Sequence, residues 1–399
     1  LKILFLSHRV PYPPNKGDKI RSFHEIRHFS KNHEIDLLAF CHNPDELEFD
    51  KPLKKYCSDV TLIPLNCRLQ RILSILSMLR RKPLTEGYFS HPQMWGEVRN
   101  RLNTFQYDAI FVYSSSMAPY AANINGIPKF LDFVDSDASK WLQYAEYKAV
   151  PMSWLYRYEG KKMAEFEREM VRAYDASIFV SARETRHLLD NNYRDKIHFV
   201  QNGIDIKYFS ESRPEKSSDI LIFTGAMDYY PNIDAVTFFT NDIFPLVRSV
   251  RPTAQFLIVG SQPTPAVRKL GNRDGITVTG TVPDVRPYME KAKVSVIPMR
   301  ISQGIQNKIL EAVAAGIPVV TTSAAAAGFN ATGKMPITIA DSAADIAENI
   351  IRLLGESLSA DRVAACRNYL DNNFNWDKNL LAFDGIFNQA VSSGSKATH

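Results

Sequence analysis

The stretch PMRISQGIQNKILEAVAAGIPVVTTSAAAAGF, Pro298 to Phe329, decides the fold. The run leading into it, AKVSVIPM from Ala292 to Met299, is apolar and β-branched, as a strand buried on both faces of a parallel sheet is. From Gly304 the pattern changes to helical spacing. Ile305, Ile309 and Val313 recur every four residues and lay one apolar stripe on a sheet, while Gln306, Asn307 and Lys308 fall in the first turn. The spacing predicts a stop at Gly316, with Pro318 opening the next strand, IPVVTT. A helix that starts at the C-terminal edge of a parallel sheet aims its N–H groups and positive dipole end outward, which makes its start a place for a phosphate. Lys308 and Arg300 add positive charge. Glu311 lies deeper, where a carboxylate disfavours phosphate but accepts hydrogen bonds from sugar hydroxyls. The same pattern also suits a solvated helix residue behind a plain connecting loop.

A chain of 399 residues exceeds what one hydrophobic core supports, so two domains of roughly 200 residues are expected. With 45% apolar and 23% charged residues, both read as globular. No stretch has the apolar length of a membrane span and no signal peptide precedes the first strand, which predicts a cytoplasmic protein. Cys41, Cys57, Cys67 and Cys366 show neither CxxC nor zinc spacing and read as ordinary reduced residues. A net charge of +5 is mild for this size and comes with no nucleic-acid-binding motif, so no nucleic-acid partner is expected.

The N-terminus, LKILFLSHRV, reads as a buried strand, followed by the break PYPPNKGDK and a helix from about Lys19 to Lys31, the start of a Rossmann-like half. GxGxxG is absent, because only Gly17 is available among prolines, and a dinucleotide dehydrogenase is disfavoured. Strands follow at Glu34 to Phe40, Asp59 to Leu65 and Tyr107 to Tyr113. Between them, CRLQRILSILSMLRRKPL, Cys67 to Leu84, carries an apolar stripe of Leu69, Ile72, Leu73, Leu76 and Leu79. Arg68, Arg71, Arg80, Arg81 and Lys82 surround it, and no acid occurs from Val60 to Thr85. Such a helix lies in the surface of an anionic membrane, gaining about 1 kcal/mol per basic residue. Alternatively the stripe packs on the sheet and the arginines face water. The next strand runs into Asp135-Ser136-Asp137. An acidic pair after a strand is one way to hold Mg²⁺ or Mn²⁺, and Asp137 is equally placed to cap a helix starting near Ala138. A charged helix from Met152 to Tyr174, the strand DASIFVS and a sharp Asn202-Gly203 turn in QNGID complete the first half.

After the polar linker Ser210 to Asp219 the strand–helix alternation restarts. ILIFTGAMDYYPN gives a strand, a loop at Gly225 and a helix from about Asn232; QFLIVG and GITVTGTVPDV give two more strands before the opening stretch is reached. Two helices span Ser342 to Asp371, and NFNWDKNLLAFDGIFNQAV closes the chain before the polar tail SSGSKATH.

NKILEAVAAGIPVVTT resembles the donor-binding segment of the retaining GT-B glycosyltransferases, in which two glutamates separated by seven intervening residues precede an alanine-rich helix and a Gly-x-Pro-Val-Val strand. Asn202 to Asp205 is similar to that family's Asn-Gly-(Val/Ile)-Asp signature. The resemblance implies an α/β GT-B fold. Residues 1–209 would form an acceptor domain completed by a crossover helix at 375–392 that Trp376 pins. Residues 210–374 would form a donor domain, and residues 393–399 a disordered tail. It makes Glu311 the ribose-binding acid and the backbone from Gly304 through Ile305, Gln306 and Asn307, with Lys308, the diphosphate site. The family's first glutamate, beside the donor sugar, falls at Gln303, which keeps a hydrogen-bonding side chain and loses the charge. Gly17, with Asp18, Lys19 and Arg21 beside it, would border the donor phosphate. Val282 in GTVPDV would read the base, and Asp135 would stand where the family often has a histidine next to the donor sugar. Alignment from Gly225 puts Ala226 and Asn232 where an arginine and a lysine usually bind the diphosphate. That leaves Arg300, Lys308 and helix N-termini to carry the charge.

The resemblance implies an enzyme moving a sugar from a UDP- or GDP-linked donor to a glycan or lipid-linked acceptor in bacterial exopolysaccharide synthesis. Its expected location is the cytoplasm or, peripherally, the inner membrane face, with retention of configuration and no metal or other cofactor. Asp135 and Gln303 are the expected catalytic positions. A nucleotide-sugar epimerase would need several acid/base side chains that the sequence does not offer. The substitutions at Gln303, Ala226 and Asn232 leave open a non-catalytic nucleotide-sugar or glycan-binding protein.

Overall fold

The computed structural model describes residues 1–15, 17–185, 188, 193–210, 219–302, 304–329, 335–356 and 359–394. Gln303, most of the expected linker and residues 395–399 of the tail lie outside the described residues, as does the side chain of Asp18. The chain divides into two compact units, Leu1–Gln201 with Asn379 onward, and Asn202–Lys378. Residues 202–209 and 375–378, which the sequence reading gives to the first domain, pack with the second unit: Ile204 N–H donates to the Phe374 carbonyl at 2.7 Å.

Each unit is built on one parallel sheet. The first has β1 Lys2–Ser7, β2 Glu34–Cys41, β3 Asp59–Pro64, β4 Ala109–Tyr113, β5 Lys129–Val134, β6 Ala176–Phe179 and β7 Ile197–Phe199. Their order is β3-β2-β1-β4-β5-β6-β7. The two central strands β1 and β4 are apolar and buried along their middles, as strands covered on both faces are. The final helix, Trp376–Gly394, belongs to this unit from Asn379 on. It inserts Phe383 and Phe387 among Phe29, Phe111 and Phe130, with Phe387 and Phe130 ring centroids 4.4 Å apart and nearly perpendicular. His28 Nε2 meets Asp384 at 3.0 Å on the same contact.

The second sheet has β8 Ile220–Thr224, β9 Gln255–Val259, β10 Ile276–Gly280, β11 Val294–Ile297, β12 Val319–Thr321 and β13 Ile337–Ile339, in the order β10-β9-β8-β11-β12-β13. β8 and β11 are neighbours, with Val294 beside Leu221 and Ser295 beside Ile222. The chain leaves them in opposite directions, so their C-terminal loops border the topological switch point, where open parallel sheets bind ligands. The stretch quoted first spans this place.

Several local expectations are corrected. The sharp turn expected at Asn202-Gly203 does not form, and Gly203 keeps a negative or extended φ. Glycine is needed there because a Cβ would come within 2.5 Å of the Trp376 backbone nitrogen. Trp376 is buried and, with Gly203, pins the ends of the second unit to each other. The helix Asp137–Glu146 is capped by Ser136, whose hydroxyl accepts from Ser139 N–H, and not by Asp137. The basic helix runs only from Cys67 to Leu79 and, contrary to the sheet-packing reading, turns its apolar stripe outward.

Candidate functional site

The helix Asn307–Ala314 follows β11 after the nine-residue loop Pro298 to Gln306. Ile309, Leu310 and Val313 are completely buried and fix its inner face. Its end is set by a two-bond cap: Gly316, at φ +74°, donates to the Val313 carbonyl and Ile317 donates to that of Ala312. Its start is set by Gln306, which holds an extended conformation and makes no side-chain cap. Gly304 takes the left-handed turn at φ +61° that brings the loop round to this start, and Ile305 is buried beneath it. A helix opening without a capping side chain offers its first amides to a ligand.

Lys308, in the first turn, reaches back across the switch point. Its Nζ donates to Asn232 Oδ1 at 2.5 Å, lies 3.6 Å from Met299 Sδ and stands 4.4 Å from the centre of the Phe223 ring. Asn232 in turn donates through Nδ2 to the Ala226 carbonyl at 2.8 Å. Asn232 therefore positions the lysine, a role its sequence alignment with a diphosphate-binding cation did not suggest; the two residues lie 76 apart in the chain. The sequence signal for this crowding is the glycine at the end of each strand. A Cβ on Gly225 would stand 2.7 Å from Asn232 Nδ2, and one on Gly260, after β9, would stand 1.6 Å from the Gly225 carbonyl oxygen. The backbones of two neighbouring loops thus meet where the lysine lies.

Burial works against both charges of the Lys308–Glu311 pair, and each charge supports the other. Removed from water, the Lys308 ammonium is pushed down to about 7, with Glu311 opposing the shift; burial raises the Glu311 carboxyl to about 7, with Lys308 opposing it. Glu311 is one turn along from Lys308 on the same helix, so cation, opening amides and acid share one face. An ammonium has three donors; Asn232 takes one and Met299 Sδ, weakly, a second, which leaves the third for an anion.

Arg300 contributes less than the sequence suggests. It forms a two-pronged pair with Asp234, at 3.0 and 2.5 Å, and stacks over Phe238 at 4.7 Å, so its charge is already matched by an acid of the helix Tyr230–Phe238. Val282 packs against the core of this unit two residues beyond Gly280, which has φ +73°. Beside it, Gln262, Pro263, Arg268, Thr279 and Thr281 line an open cavity of about 670 Å³ between the ends of β9 and β10.

The remaining expected residues lie in the first unit. Gly17 opens the helix Gly17–Phe29 and is exposed. Two of its expected companions, Arg21 and Lys19, are held in ion pairs. Arg21 is fully buried and binds Asp132 at 2.6 Å, Glu25 at 3.0 Å and the Val200 carbonyl at 2.8 Å, and Lys19 binds Glu46 at 2.6 Å. Asp135 follows Val134, a β-branched residue held at φ +66° by the bond from its own amide to Asp132 Oδ1. That conformation costs on the order of 1–3 kcal/mol and is typical of places where a side chain must be aimed. Asp137 accepts from Ser115 at 2.5 Å and pairs with Lys140, which keeps its carboxyl below the usual range despite burial. Among the described residues no group of three metal-ligating side chains forms, around Asp135 and Asp137 or elsewhere.

Residues 218–356 match the family model described as Glycosyl transferases group 1. The match falls within the second unit. No curated protein matches the chain. Among solved structures, TarM is similar over 97% of this chain and 98% of its own at 12% identity and a TM-score of 0.66. HepE from Anabaena, in complex with UDP, is similar over 98% and 100% at 12% identity and 0.65. The lipopolysaccharide outer core galactosyltransferase WaaB is similar over 98% and 99% at 14% identity and 0.56. Likeness at such identities carries the fold, which is GT-B.

Proposed function

We propose that the protein transfers a sugar from a UDP-linked donor to a glycan or lipid-linked acceptor in bacterial polysaccharide synthesis, with retention of configuration. The observation that carries this reading is the Asn232–Lys308–Glu311 cluster at the switch point of the second sheet, where a cation in the first turn of an uncapped helix is followed by an acid in the second. In the proposed binding mode the opening amides of Asn307 and Lys308 and the Lys308 ammonium take the diphosphate. Glu311 takes the ribose hydroxyls, and the backbone around Val282 meets the base. The acceptor is assigned to the N-terminal unit, which carries Asp135 as its candidate catalytic residue. The same lysine and dipole then stabilise the negative charge that develops on the departing diphosphate, a service that needs fixed donors in a site of low polarity. Arg300 would join them only by leaving Asp234. UDP as the nucleotude class is supported by the complexes of TarM from S. aureus and of HepE from Anabaena, whose bound molecules include UDP.

A thermal-shift panel of UDP- and GDP-sugars, run on the native protein and on Glu311→Ala, tests the reading. UDP-sugars are expected to raise the native midpoint through linkage, and the variant, lacking one charge-assisted contact, is expected to bind roughly ten- to hundredfold more weakly. Equal shifts in both proteins would remove Glu311 from the site. Transfer to an added acceptor, against isomerised donor or binding without product, separates this function from an epimerase and from a binding protein.

A further inference from the structure

The helix Cys67–Leu79 is mounted inside out. Gln70, Ser74 and Ser77 form its buried face, while Leu69, Ile72, Leu73, Ile75, Leu76 and Leu79 are exposed, Ile72 to 64% and Leu79 to 83%. Its polar face is fitted for contact. Ser77 Oγ donates to the carbonyls of Ser74 and Pro83, at 2.5 and 2.9 Å, and Ser74 Oγ donates to that of Arg71. Gly87 of the following helix, Leu84–Phe89, packs so closely that a Cβ there would stand 2.8 Å from Ser77 Cβ. The outward apolar face is thus fixed by packing on the other side. A second exposed apolar segment starts nearby. Glu159 accepts from the amides of Leu84 and Thr85, and the exposed residues Val150, Met152 and Trp154, at the start of the helix Met152–Ala173, end about one and a half turns before it.

We propose that this face docks on an anionic lipid bilayer. Charge decides between a membrane and a protein partner. Arg68, Arg71, Arg80, Arg81 and Lys82 are all exposed around the apolar stripe, and no acidic residue lies between Val60 and Thr85. Glu86, the first acid beyond, is engaged by Lys82. Arginine and lysine bury their stems in the interface and leave their heads among lipid phosphates, while the leucines and isoleucines enter the acyl boundary. Among the described residues no helix is long and apolar enough to cross a membrane, so the contact lies along the surface. The inference stands apart from the donor reading, because it uses none of the residues that hold the nucleotide.

The full chain is sedimented with vesicles of phosphatidylcholine alone and of phosphatidylcholine mixed with phosphatidylglycerol, at low and high salt. The native protein is expected in the pellet with the mixed vesicles only, and less so at high salt. Replacing Arg80, Arg81 and Lys82 by serine is expected to lower the partition coefficient roughly a hundredfold, given a factor of about five per basic residue near the surface. Leu76→Ser with Leu79→Ser is expected to lower it as well. All these side chains are exposed, so unchanged thermal midpoints, with and without UDP, show that the variants fold and that the nucleotide site is intact. A native protein that stays in the supernatant with mixed vesicles would overturn the proposal, as would leucine variants that bind undiminished. A native dimer that the leucine variants convert to monomer, with no vesicle binding, would assign the face to a second copy of the chain.

Discussion

Two helices of this protein are amphipathic by the same spacing rule and are mounted in opposite senses. Asn307–Ala314 lays Ile309, Leu310 and Val313 into the core of its unit; Cys67–Leu79 turns six leucines and isoleucines outward and docks through a glutamine and two serines. The difference comes from what each helix connects. Asn307–Ala314 lies between β11 and β12, interior strands whose crossover must cover the sheet, so its apolar stripe has one place to go. Cys67–Leu79 leaves β3, the edge strand, and meets a short helix whose Gly87 accepts only small side chains. Periodicity defines a stripe; the topology around it decides whether the stripe is core or surface.

The largest test of that contrast is on stability. Ile309→Ala removes a wholly buried side chain from a packed interior and is expected to cost about 2–5 kcal/mol, read from denaturant midpoints. Ile72→Ala, on the outward stripe, is expected to change stability by less than about 0.5 kcal/mol. Similar costs at both positions would mean that the Cys67 helix buries its stripe after all. Next in size is Gly87→Ala, which forces a Cβ to 2.8 Å from that of Ser77 and is expected to destabilise the first unit by about 1–3 kcal/mol. Its partner change Ser77→Gly, made in the same chain, should recover part of that loss; no recovery would show that the two helices do not meet through these residues.

Much of the second unit was legible in the chain itself. The strand before Pro298, the helical stripe and the stop at Gly316 rest on backbone chemistry and periodicity within a few residues, and the structure places them there. Contacts between distant segments were not. Asn232 looked like a lost cation because nothing local announces that it accepts from Lys308, and Arg300 looked available because Asp234 is 66 residues away. At Ser136 and Asp137 either side chain can cap a helix, and only the backbone conformation chooses. Asn202-Gly203 marked a required glycine correctly, but the requirement is the approach of Trp376 and not a turn.

The third test falls on the charged face of the Asn307 helix. Below pH of about 7 Lys308 in the empty site holds its proton, and above that it is increasingly neutral. A diphosphate favours the ammonium, so binding above this pH takes up a proton, and rising pH opposes binding. Glu311, raised to about 7 by the same burial, is ionised at higher pH and no longer changes the sum. UDP affinity measured by calorimetry is therefore expected to fall toward about tenfold per unit between about pH 8 and 9, equivalent to about 1.4 kcal/mol. Lys308→Met should bind weakly with no such slope. A flat profile in the native protein would mean that its ammonium does not meet the phosphates.

The smallest expected effect is the most direct check on the Cys67 helix. Leu79 is its last residue, 83% exposed, and makes its sequence look like the end of a buried stripe. A leucine that is already in water has little transfer free energy to lose, so Leu79→Ser is expected to leave the unfolding midpoint unchanged within about 0.5 kcal/mol. The same substitution removes apolar surface from the outward face, so retention on a hydrophobic-interaction column should fall while stability does not. A drop in stability without a change in retention would place Leu79 inside, and with it the stripe whose exposure separates this helix from the one at Asn307.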